Sequence, residues 1–590
     1  MSDRPLAALR AQMKSCGVDA YIAPNSDFHA SEYIGEAFKT VRFLTGFTGT
    51  TATLVVLPDR AALWTDEGYF LQAKQELEGS GITLFHTGHP DSPTVADYLK
   101  EGMPADGLLA GDGRTLTARQ ALELLDSLGG QARFLDRDLA GELWKDRPPL
   151  PNAPVWVLSE RYAGEPAEKK LAWLREQVAA RADAHLIATL DDIAWLLNLR
   201  GGDIAYNPVA LAYLAVLPDR ALLFIDPAKL DAQVRAHLDR LGVEVLPYEA
   251  AQETVEQVLS GKRVLLMPER VGYAFYLRLE AAKAQIIEGE NPSILRKSVK
   301  NAVQLEHLRQ AHQKDGVAVT KLLCWLKTGM EGGHPTEAQI AEKLDTLRLG
   351  QEGCLGPSFI TISGFGAHGA IVHYHVTPES DVPVEPDGLL LLDSGGQYLE
   401  GTTDLTRTVV IGSATAEQKR CFTLVLQGML NLSAAVFPIG VCGRHLDVLA
   451  RGPLWSNGLD YGHGTGHGIG SLLCVHEPPI GFNWRITARN DTAPFAPGMV
   501  VSDEPGVYLP GRFGVRLENQ LACREAETDG FLRFETLTLA PIDLGAVDPS
   551  LLDARGREQL NAYHKRVYEQ IGPFLTEEEQ HWLREATRPI

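Results

Sequence analysis

An internal duplication constrains the fold of this chain more than any other feature of its sequence. The segment VLPDRAALWTD begins at Val56 and returns as VLPDRALLFID at Val216, 160 residues later. A period of this length marks repeated domains, since the units of solenoid proteins span only about 20–50 residues. In each copy an amphipathic helix is followed by short β-rich runs, a PDR turn and another strand. The duplication therefore predicts two α/β modules of similar topology.

The remaining sequence predicts a third domain of a different kind. The stretch RPPLPNAP at residues 147–154 is typical of a linker between the two modules. A long helical pattern begins near Lys297, and helical stretches then alternate with glycine-bounded hairpin runs, which favours an α+β domain with a largely antiparallel sheet. We predict domains at 1–151, 152–296 and 297–590, the last ending in a helical tail from Arg555 to Ile590.

Composition and charge exclude several classes of protein. The chain has 55 basic and 76 acidic residues, a net charge of −21, which argues against a nucleic-acid partner because such binding rests on neutralising phosphates. Apolar runs stay far below the roughly 18 residues that a membrane span requires. The beginning of the sequence lacks the apolar core of a signal peptide, and the seven cysteines never form a CxxC pair. We expect a cytoplasmic globular protein with reduced thiols and no membrane partner.

Four acidic residues of the third domain stand at the ends of apolar strand patterns. Asp393 follows a wholly apolar run and Asp404 starts the next one, across a glycine-containing turn. Glu504 ends another apolar run, and Glu518 follows fourteen residues later in a further predicted strand. A single Asp in such a place is ordinarily a turn or cap residue. Two pairs of carboxylates, each on one apolar hairpin, favour function instead, because buried ionised groups are costly unless they are paired or bind metal.

Three histidines lie between these two hairpins. The segment DYGHGTGHGIGSLLCVHEPP carries His463, His467 and His476 on a predicted loop, and the GxxxxGK[ST] pattern of a phosphate loop is missing. Two Asp, two Glu and at least one His form an oxygen-rich ligand set without thiolate. Such a set is more typical of a site for Mn²⁺ than of a structural zinc site with cysteine ligands. Four carboxylates fit two ions roughly 3.5 to 4 Å apart that activate a hydroxide for hydrolysis.

These motifs resemble the metallopeptidases of the pita-bread fold, which include methionine aminopeptidase, prolidase and aminopeptidase P. The ligands of that family follow the order Asp, Asp, His, Glu, Glu, and this chain offers Asp393, Asp404, His467, Glu504 and Glu518 in DSGGQYLEGTTDLTRT, HGTGHGIG, DEPGVY and GVRLEN. Two creatinase-like N-terminal modules followed by a pita-bread catalytic domain are the plan of the large, three-domain aminopeptidases P. The segments SEYI, GFTGT, WTD, YFLQAKQ and NLRGGDIAYNP are similar to that group as well.

The resemblance also implies roles for residues around the ligands. His373 would line the site near the scissile bond, His463 would lie at the proline pocket, and His476 would hydrogen-bond the carbonyl oxygen and the developing oxyanion. Glu504 would act as general base besides being a ligand, and Tyr508 and Arg516 would shape the substrate site. We interpret His375 as a strand residue and Trp455 as a packing residue. Where related proteins read WTDGRYF, this chain has Glu67 and Gly68, which puts a basic contact to longer substrates in doubt.

The implied activity is that of an Xaa-Pro aminopeptidase. Two divalent ions, Mn²⁺ first and Zn²⁺ or Co²⁺ as alternatives, would bridge a hydroxide that removes the N-terminal residue of peptides with proline second. Such a bond has no N–H and a restricted backbone, so general aminopeptidases handle it poorly. Prolidase, which cleaves Xaa-Pro dipeptides, is the alternative enzyme. A non-catalytic peptidase-like binding protein and metal-free creatinase are disfavoured because every ligand is retained. The resemblance also implies a homodimer, built with the tail and an exposed Trp455.

Overall fold

The computed structural model of the protein describes residues 4–130, 132–329, 333–485 and 493–590. The chain forms two compact units. One contains Met1–Leu158 and Glu165–Ser293, and the other contains Ser159–Gly164 and Ile294–Ile590. Within the described residues, no helix combines the length and the apolar character needed to cross a bilayer.

The first module is a six-stranded sheet with helices around it. Its strands are β1 (Ala20–Pro24), β2 (Thr53–Val56), β3 (Ala61–Thr65), β4 (Ile82–His86), β5 (Gly107–Gly111) and β6 (Ala132–Asp136), in the order β4-β3-β2-β1-β5-β6. Its helices are α1 (Arg4–Cys16), α2 (Thr40–Thr45), α3 (Glu67–Glu76), α4 (Val95–Gly102), α5 (Ala118–Ser127) and α6 (Leu139–Leu143). Leu6, Leu9 and Met13 of α1 are buried in the core of this module, as the amphipathic pattern predicts.

The second module repeats this sheet strand for strand. Its strands are β7 (Trp156–Val157), β8 (Ala184–Ile187), β9 (Leu199–Arg200), β10 (Ala212–Val216), β11 (Ala221–Ile225), β12 (Val243–Leu246), β13 (Arg263–Leu266) and β14 (Gln285–Glu288). Strands β7 and β9 form a separate two-stranded pair. Its helices are α8 (Ala167–Ala179), α9 (Leu190–Leu197), α10 (Ala232–Arg240), α11 (Ala251–Val258) and α12 (Tyr273–Ala281), while α7 (Glu160–Ala163) belongs to the other unit. The sheet order β12-β11-β10-β8-β13-β14 matches that of the first module, and each PDR turn closes an antiparallel hairpin, β2–β3 and β10–β11.

The C-terminal unit combines long helices with antiparallel sheets. Its helices are α13 (Pro292–Ser298), α14 (Ala302–Thr328), α15 (Glu337–Leu349), α16 (Ala416–Ser433), α17 (Gly443–Trp455), α18 (Ala554–Ile571) and α19 (Glu577–Ala586). Its strands are β15 (Cys354–Pro357), β16 (Ile362–Phe365), β17 (Gly388–Ser394), β18 (Gly396–Tyr398), β19 (Gly401–Thr402), β20 (Leu405–Ile411), β21 (Val436–Pro438), β22 (Gly466–Gly468), β23 (Glu477–Phe482), β24 (Val500–Asp503), β25 (Gly506–Leu509), β26 (Phe513–Arg516), β27 (Asn519–Glu525) and β28 (Phe531–Thr536). The pairings in the sheets β16-β17-β20 and β21-β28-β27-β24-β22-β23 are antiparallel, which confirms the predicted α+β class.

An antiparallel strand pair brings two of the predicted acidic residues together. In the β17–β20 pair, Asp393 lies opposite Thr406, so Asp404, directly before β20, is its near neighbour across the ladder. The connecting backbone is very close here, because a Cβ on Gly395 would lie 2.0 Å from the carbonyl oxygen of Thr403. Only glycine can occupy that position without moving the loop.

Candidate metal centre

Three of the predicted ligands converge at one point in the C-terminal unit. One ligand atom each from Asp404, His467 and Glu518 lies within 4.8 Å of the other two. The imidazole Nε2 of His467 is 3.4 Å from Asp404 Oδ2 and 3.4 Å from Glu504 Oε1. The antiparallel sheet explains the convergence, because β22, β24 and β27 are neighbours in it. His467 lies in β22, Glu504 directly follows β24, and Glu518 directly precedes β27.

The orientation of His467 points to a cation between these groups. Its Nδ1 lies 3.1 Å from the carbonyl oxygen of Gly468; because a carbonyl can only accept, Nδ1 carries the proton. Nε2 is therefore the nitrogen left to bind a metal, and it faces two carboxylate oxygens at 3.4 Å each, an arrangement that repels unless a proton or a metal cation lies between them. Metal-bound histidines characteristically donate their second N–H to a carbonyl or carboxylate in this way.

The predicted carboxylate ligands Asp393, Asp404 and Glu518 are buried, and each has one oxygen without a hydrogen-bond donor in the described part of the structure. Asp393, Asp404 and Glu518 are 8 %, 3 % and 1 % exposed. Asp393 Oδ1, Asp404 Oδ1 and Glu518 Oε1 each lack a hydrogen-bond partner among the described residues. Buried carboxylate oxygens without donors are costly unless something else compensates them. The donor set and its unpaired oxygens thus fit divalent cations.

Burial and mutual repulsion set the protonation of this cluster. Burial, followed by the charge of Asp393, raises the pKa of Asp404 well above its usual range. Burial and then Asp404 do the same for the pKa of Glu518. Burial also raises the pKa of Glu504 to about 7, although His467 and Arg516 oppose it. A divalent cation would reverse these shifts, because it favours the ionised form of every carboxylate around it.

A chain of hydrogen bonds leads from Asp393 to His463. Arg516 Nη2 donates to Asp393 Oδ2 over 2.6 Å, and Arg516 Nη1 donates to the Tyr508 hydroxyl over 2.7 Å. His463 Nδ1 lies 2.7 Å from the carbonyl oxygen of Gly464 and must donate to it, so Nε2, 2.7 Å from the Tyr508 hydroxyl, accepts. Burial and then Arg516 lower the pKa of His463 to about 3. The histidine is therefore a neutral acceptor with a fixed tautomer.

The other two predicted histidines lie near His467 and His463. The rings of His476 and His467 meet edge to face with centroids 4.2 Å apart, which places His476 directly beside a predicted ligand. His373 is exposed in the loop that follows a 3-10 helix at Gly366–Ala370. It is close enough to His463 to be a minor contributor to the lowered pKa of that residue. The structure thus brings the predicted ligands, Tyr508, Arg516 and all three histidines to one region.

Three local predictions were wrong. Glu518 lies between β26 and β27 rather than within a strand, because the chain leaves the β25–β26 hairpin there and joins the larger sheet. His467 is in the short strand β22 and not in a loop. The glycine before it permits this, since a Cβ on Gly466 would lie 2.0 Å from the carbonyl oxygen of Ser502. His375 lies in no strand. The side chain of Glu67 is outside the described part of the structure.

One group of functional candidates escaped sequence reasoning. Glu477, next to His476, is 2 % exposed. Lys297 Nζ donates to its Oε1 over 3.1 Å, and Lys300 Nζ donates to its Oε2. Both lysines are buried as well. No sequence signal separates these buried lysines, in the polar stretch LRKSVK, from ordinary surface ones.

A second unpredicted network holds the loop of His463. Arg451, 1 % exposed on α17, donates to Asp447 over 2.7 Å and to the carbonyl oxygens of Tyr461 and His463 over 2.8 and 2.6 Å. The Thr465 hydroxyl donates to the other oxygen of Asp447. The i, i+4 spacing of Asp447 and Arg451 was a detectable signal, but it is more typical of a surface ion pair.

Family models match consecutive parts of the chain. Metallopeptidase family M24 covers residues 306–525, and the C-terminal region of peptidase M24 covers 530–590. The Creatinase/Prolidase N-terminal domain matches twice, at residues 5–140 and 146–304. The two N-terminal matches coincide with the two copies of the duplicated sheet.

Relatives are similar over the whole length. Aminopeptidase P2 of Arabidopsis thaliana is 38% identical, with 100% of this chain and 88% of the relative covered. Probable Xaa-Pro aminopeptidase P of Laccaria bicolor is 39% identical, with 99% and 93% covered. The solved structure of an X-prolyl aminopeptidase from Caenorhabditis elegans, described as a cytosolic enzyme with a di-nuclear active site, matches at a TM-score of 0.94 and 36% identity, covering 100% of both chains.

Fold, site and relatives together define a metallopeptidase with a pita-bread catalytic domain. The chain belongs to metallopeptidase family M24 and carries two creatinase/prolidase N-terminal domains. The family and the fold class predicted from the sequence are thereby confirmed. An Xaa-Pro dipeptidase from Bacillus anthracis shares the fold at 24% identity and a TM-score of 0.53, over 64% of this chain and 99% of that one.

Proposed function

We propose that this chain is an Xaa-Pro aminopeptidase that removes the N-terminal residue from peptides with proline second. The observation that carries the proposal is the site geometry, in which Nε2 of His467 faces carboxylate oxygens of Asp404 and Glu504 at 3.4 Å each. Similarity along the full length to proteins named aminopeptidase P supports it.

The five predicted ligands are proposed to hold two divalent ions. Asp393, Asp404, His467, Glu504 and Glu518 supply them with oxygen and one imidazole nitrogen, a set that suits Mn²⁺, with Zn²⁺ or Co²⁺ as alternatives. When bound, such ions supply Lewis acidity and a water activated for hydrolysis. The di-nuclear site of the Caenorhabditis elegans relative supports the number of ions.

The residues around the ions position the peptide and move the proton. Glu504, whose Oε1 lies 3.4 Å from Nε2 of His467, would accept a proton from the attacking water and pass it to the proline nitrogen. His476, beside His467, donates a hydrogen bond to the oxygen that becomes negative in the transition state. His463 and Tyr508, fixed in one tautomer and one hydrogen-bond direction, line the pocket for the proline ring.

The N-terminal modules favour an aminopeptidase over a dipeptidase. The Bacillus anthracis dipeptidase corresponds to 64% of this chain, whereas the aminopeptidase P relatives correspond to 99% or more of it. Retention of every predicted ligand also argues against a peptidase-like binding protein without metal. A cytoplasmic location and a homodimer are further proposals. The first is supported by the relative described as cytosolic, and the second by the 41% exposure of Trp455.

Peptide digestion tests the proposed activity. The Mn²⁺-loaded protein should cleave Arg-Pro-Pro after its first residue, should cleave the dipeptide Arg-Pro more slowly, and should leave Arg-Ala-Ala intact, as read by mass spectrometry. Cleavage of the dipeptide alone would assign the protein as a prolidase. Intact peptides throughout, with two metal ions bound, would overturn the proposed activity while leaving the metal site standing.

A further inference from the structure

A candidate cavity lies in the N-terminal unit, which contains none of the predicted metal ligands. A cavity of about 360 Å³ opens between the two modules, within the size range of preformed small-molecule sites. Its walls come from the segments that follow β1, β5 and β6, together with β10 and the residues around the start of α11. The predicted metal ligands lie in the other unit.

The position of the cavity in the first sheet is one where ligands bind. Strands β1, β5 and β6 run parallel, and the chain winds outward from β1 through β2 on one side and from β5 through β6 on the other. The strand order therefore reverses between β1 and β5, and open α/β sheets bind ligands at the carboxyl ends of the strands beside such a reversal. Phe28 follows β1, Asp112 and Arg114 follow β5, and Asp136 ends β6.

Aromatic residues form a preorganised wall. The rings of Tyr213 and Tyr248 stack with centroids 5.2 Å apart, and the Tyr248 hydroxyl is 2.7 Å from His29 Nε2. The guanidinium of Arg114 lies 4.1 Å from the ring centre of Phe28. These three aromatic side chains are 4–7 % exposed, so their positions are fixed by packing. Such a wall suits an apolar or aromatic side chain of the ligand.

Most of the charges around the cavity are already paired. Arg114 donates through Nε and Nη2 to the two oxygens of Asp112, each over 2.8 Å. Arg137 is bound to Glu142, and Asp138 accepts from Arg147 over 2.7 Å. These pairs fix the geometry and leave those carboxylates neutralised.

A few polar groups facing the cavity remain available. Among the described residues, Arg114 Nη1, Asp136 Oδ2 and the carboxylate of Glu249 take part in no hydrogen bond or ion pair, although Asp136 Oδ1 accepts from the backbone N–H of Gly113 over 2.8 Å. Burial raises the pKa of Asp136, and a bound cation would relieve that cost. Arg114 Nη1, one oxygen of Asp136 and the carboxylate of Glu249 therefore face a common space with an aromatic wall.

We propose that this cavity binds a free α-amino acid with an apolar or aromatic side chain. Its ammonium would lie between Asp136 and Glu249, its carboxylate would accept from Arg114 Nη1, and its side chain would pack on the rings of Phe28, Tyr213 and Tyr248. The proposal goes beyond the proposed peptidase function and does not depend on it. It gives the N-terminal modules a ligand of the same class as the residue that an aminopeptidase releases.

Calorimetry with the full-length protein tests the proposal, with L-phenylalanine as the probe. We expect saturable binding of one molecule per chain. N-acetyl-phenylalanine and phenylalaninamide each remove one charge, and each should bind at least about 10-fold more weakly, the loss expected for one charged hydrogen bond. The double variant Asp136→Asn, Glu249→Gln should weaken binding of L-phenylalanine by a similar factor or more and leave peptide turnover unchanged.

A matched control and two contrary outcomes complete the test. Glu244→Gln, at an exposed position of β12 outside the cavity, should bind L-phenylalanine as the parent does. Undiminished binding by the double variant would place the amino acid in the peptidase site and overturn the proposal. Absence of heat up to tens of millimolar would overturn it as well. Neither result bears on the proposed peptidase function, which the peptide digestion decides separately.

Discussion

Removal of the Glu477 carboxylate should destabilise the catalytic unit strongly. Glu477, Lys297 and Lys300 are 2 %, 4 % and 3 % exposed, so Glu477→Gln removes the carboxylate that both buried ammonium groups contact. Breaking a buried ion pair by removing one partner costs about 3–5 kcal/mol. At about 2–4 °C per kcal/mol, the unfolding temperature of this unit should fall by about 10 °C. Differential scanning calorimetry measures the fall.

Two further variants separate the lost counter-ion from a general effect of substitution. Glu527→Gln, at an exposed position without an ion pair among the described residues, should leave the transition unchanged. The triple variant Lys297→Met, Glu477→Gln, Lys300→Met removes all three charges and should recover most of the lost stability, because apolar replacements of buried ion pairs are often neutral. A cost below about 1 kcal/mol for Glu477→Gln alone would refute the reasoning, since a cost that small is typical of exposed pairs.

Three other perturbations give distinct results. His476→Ala should lower kcat by about 10²- to 10³-fold, the usual loss for one oxyanion donor, with both metals still bound; turnover within about threefold of the parent would return His476 to a packing role. Burial lowers the pKa of His185 to about 4, below the unfolded value of about 6.5. The stability that the neutral histidine contributes is therefore complete above pH 6.5 and is lost as the pH falls towards 4, by up to about 3 kcal/mol. The free energy of urea unfolding of His185→Leu should depend less on pH than that of the parent, and an equal pH dependence would contradict the lowered pKa of His185. Light scattering should give twice the chain mass of 64.4 kDa, and a monomer would refute the proposed dimer.

The architecture of the N-terminal modules could be predicted from the sequence because the same order of helix, strands and PDR turn occurs twice. Each PDR turn lies between two short apolar runs that are strands in the structure, and the second sheet follows the first in strand order. Apolar runs ending in Asp393 and Glu504 predicted the acidic residues at the site for a physical reason. An ionised group next to a buried strand needs compensation, and the unpaired oxygen of Asp393 shows that need directly.

The contacts that hold the site could not be predicted in the same way. Lys297 and Glu477 are 180 positions apart in the chain, and no local pattern links them. The loop of His463 depends on Arg451, whose spacing from Asp447 looks like that of a surface pair although both are buried. His467 was misplaced in a loop because glycines on both sides of it hide a strand. That strand exists only because β23 and β24 pair with it.

The central claim is that five side chains of this chain hold two divalent ions, and elemental analysis tests it most directly. The protein dialysed against Mn²⁺ and then against buffer should retain two ions per chain. Asp404→Asn, which removes one charge at the point where Asp404, His467 and Glu518 converge, should lose most of the bound metal while the N-terminal unit stays folded by calorimetry. Full metal occupancy and normal peptide turnover in Asp404→Asn would contradict the assignment of this cluster as the metal centre.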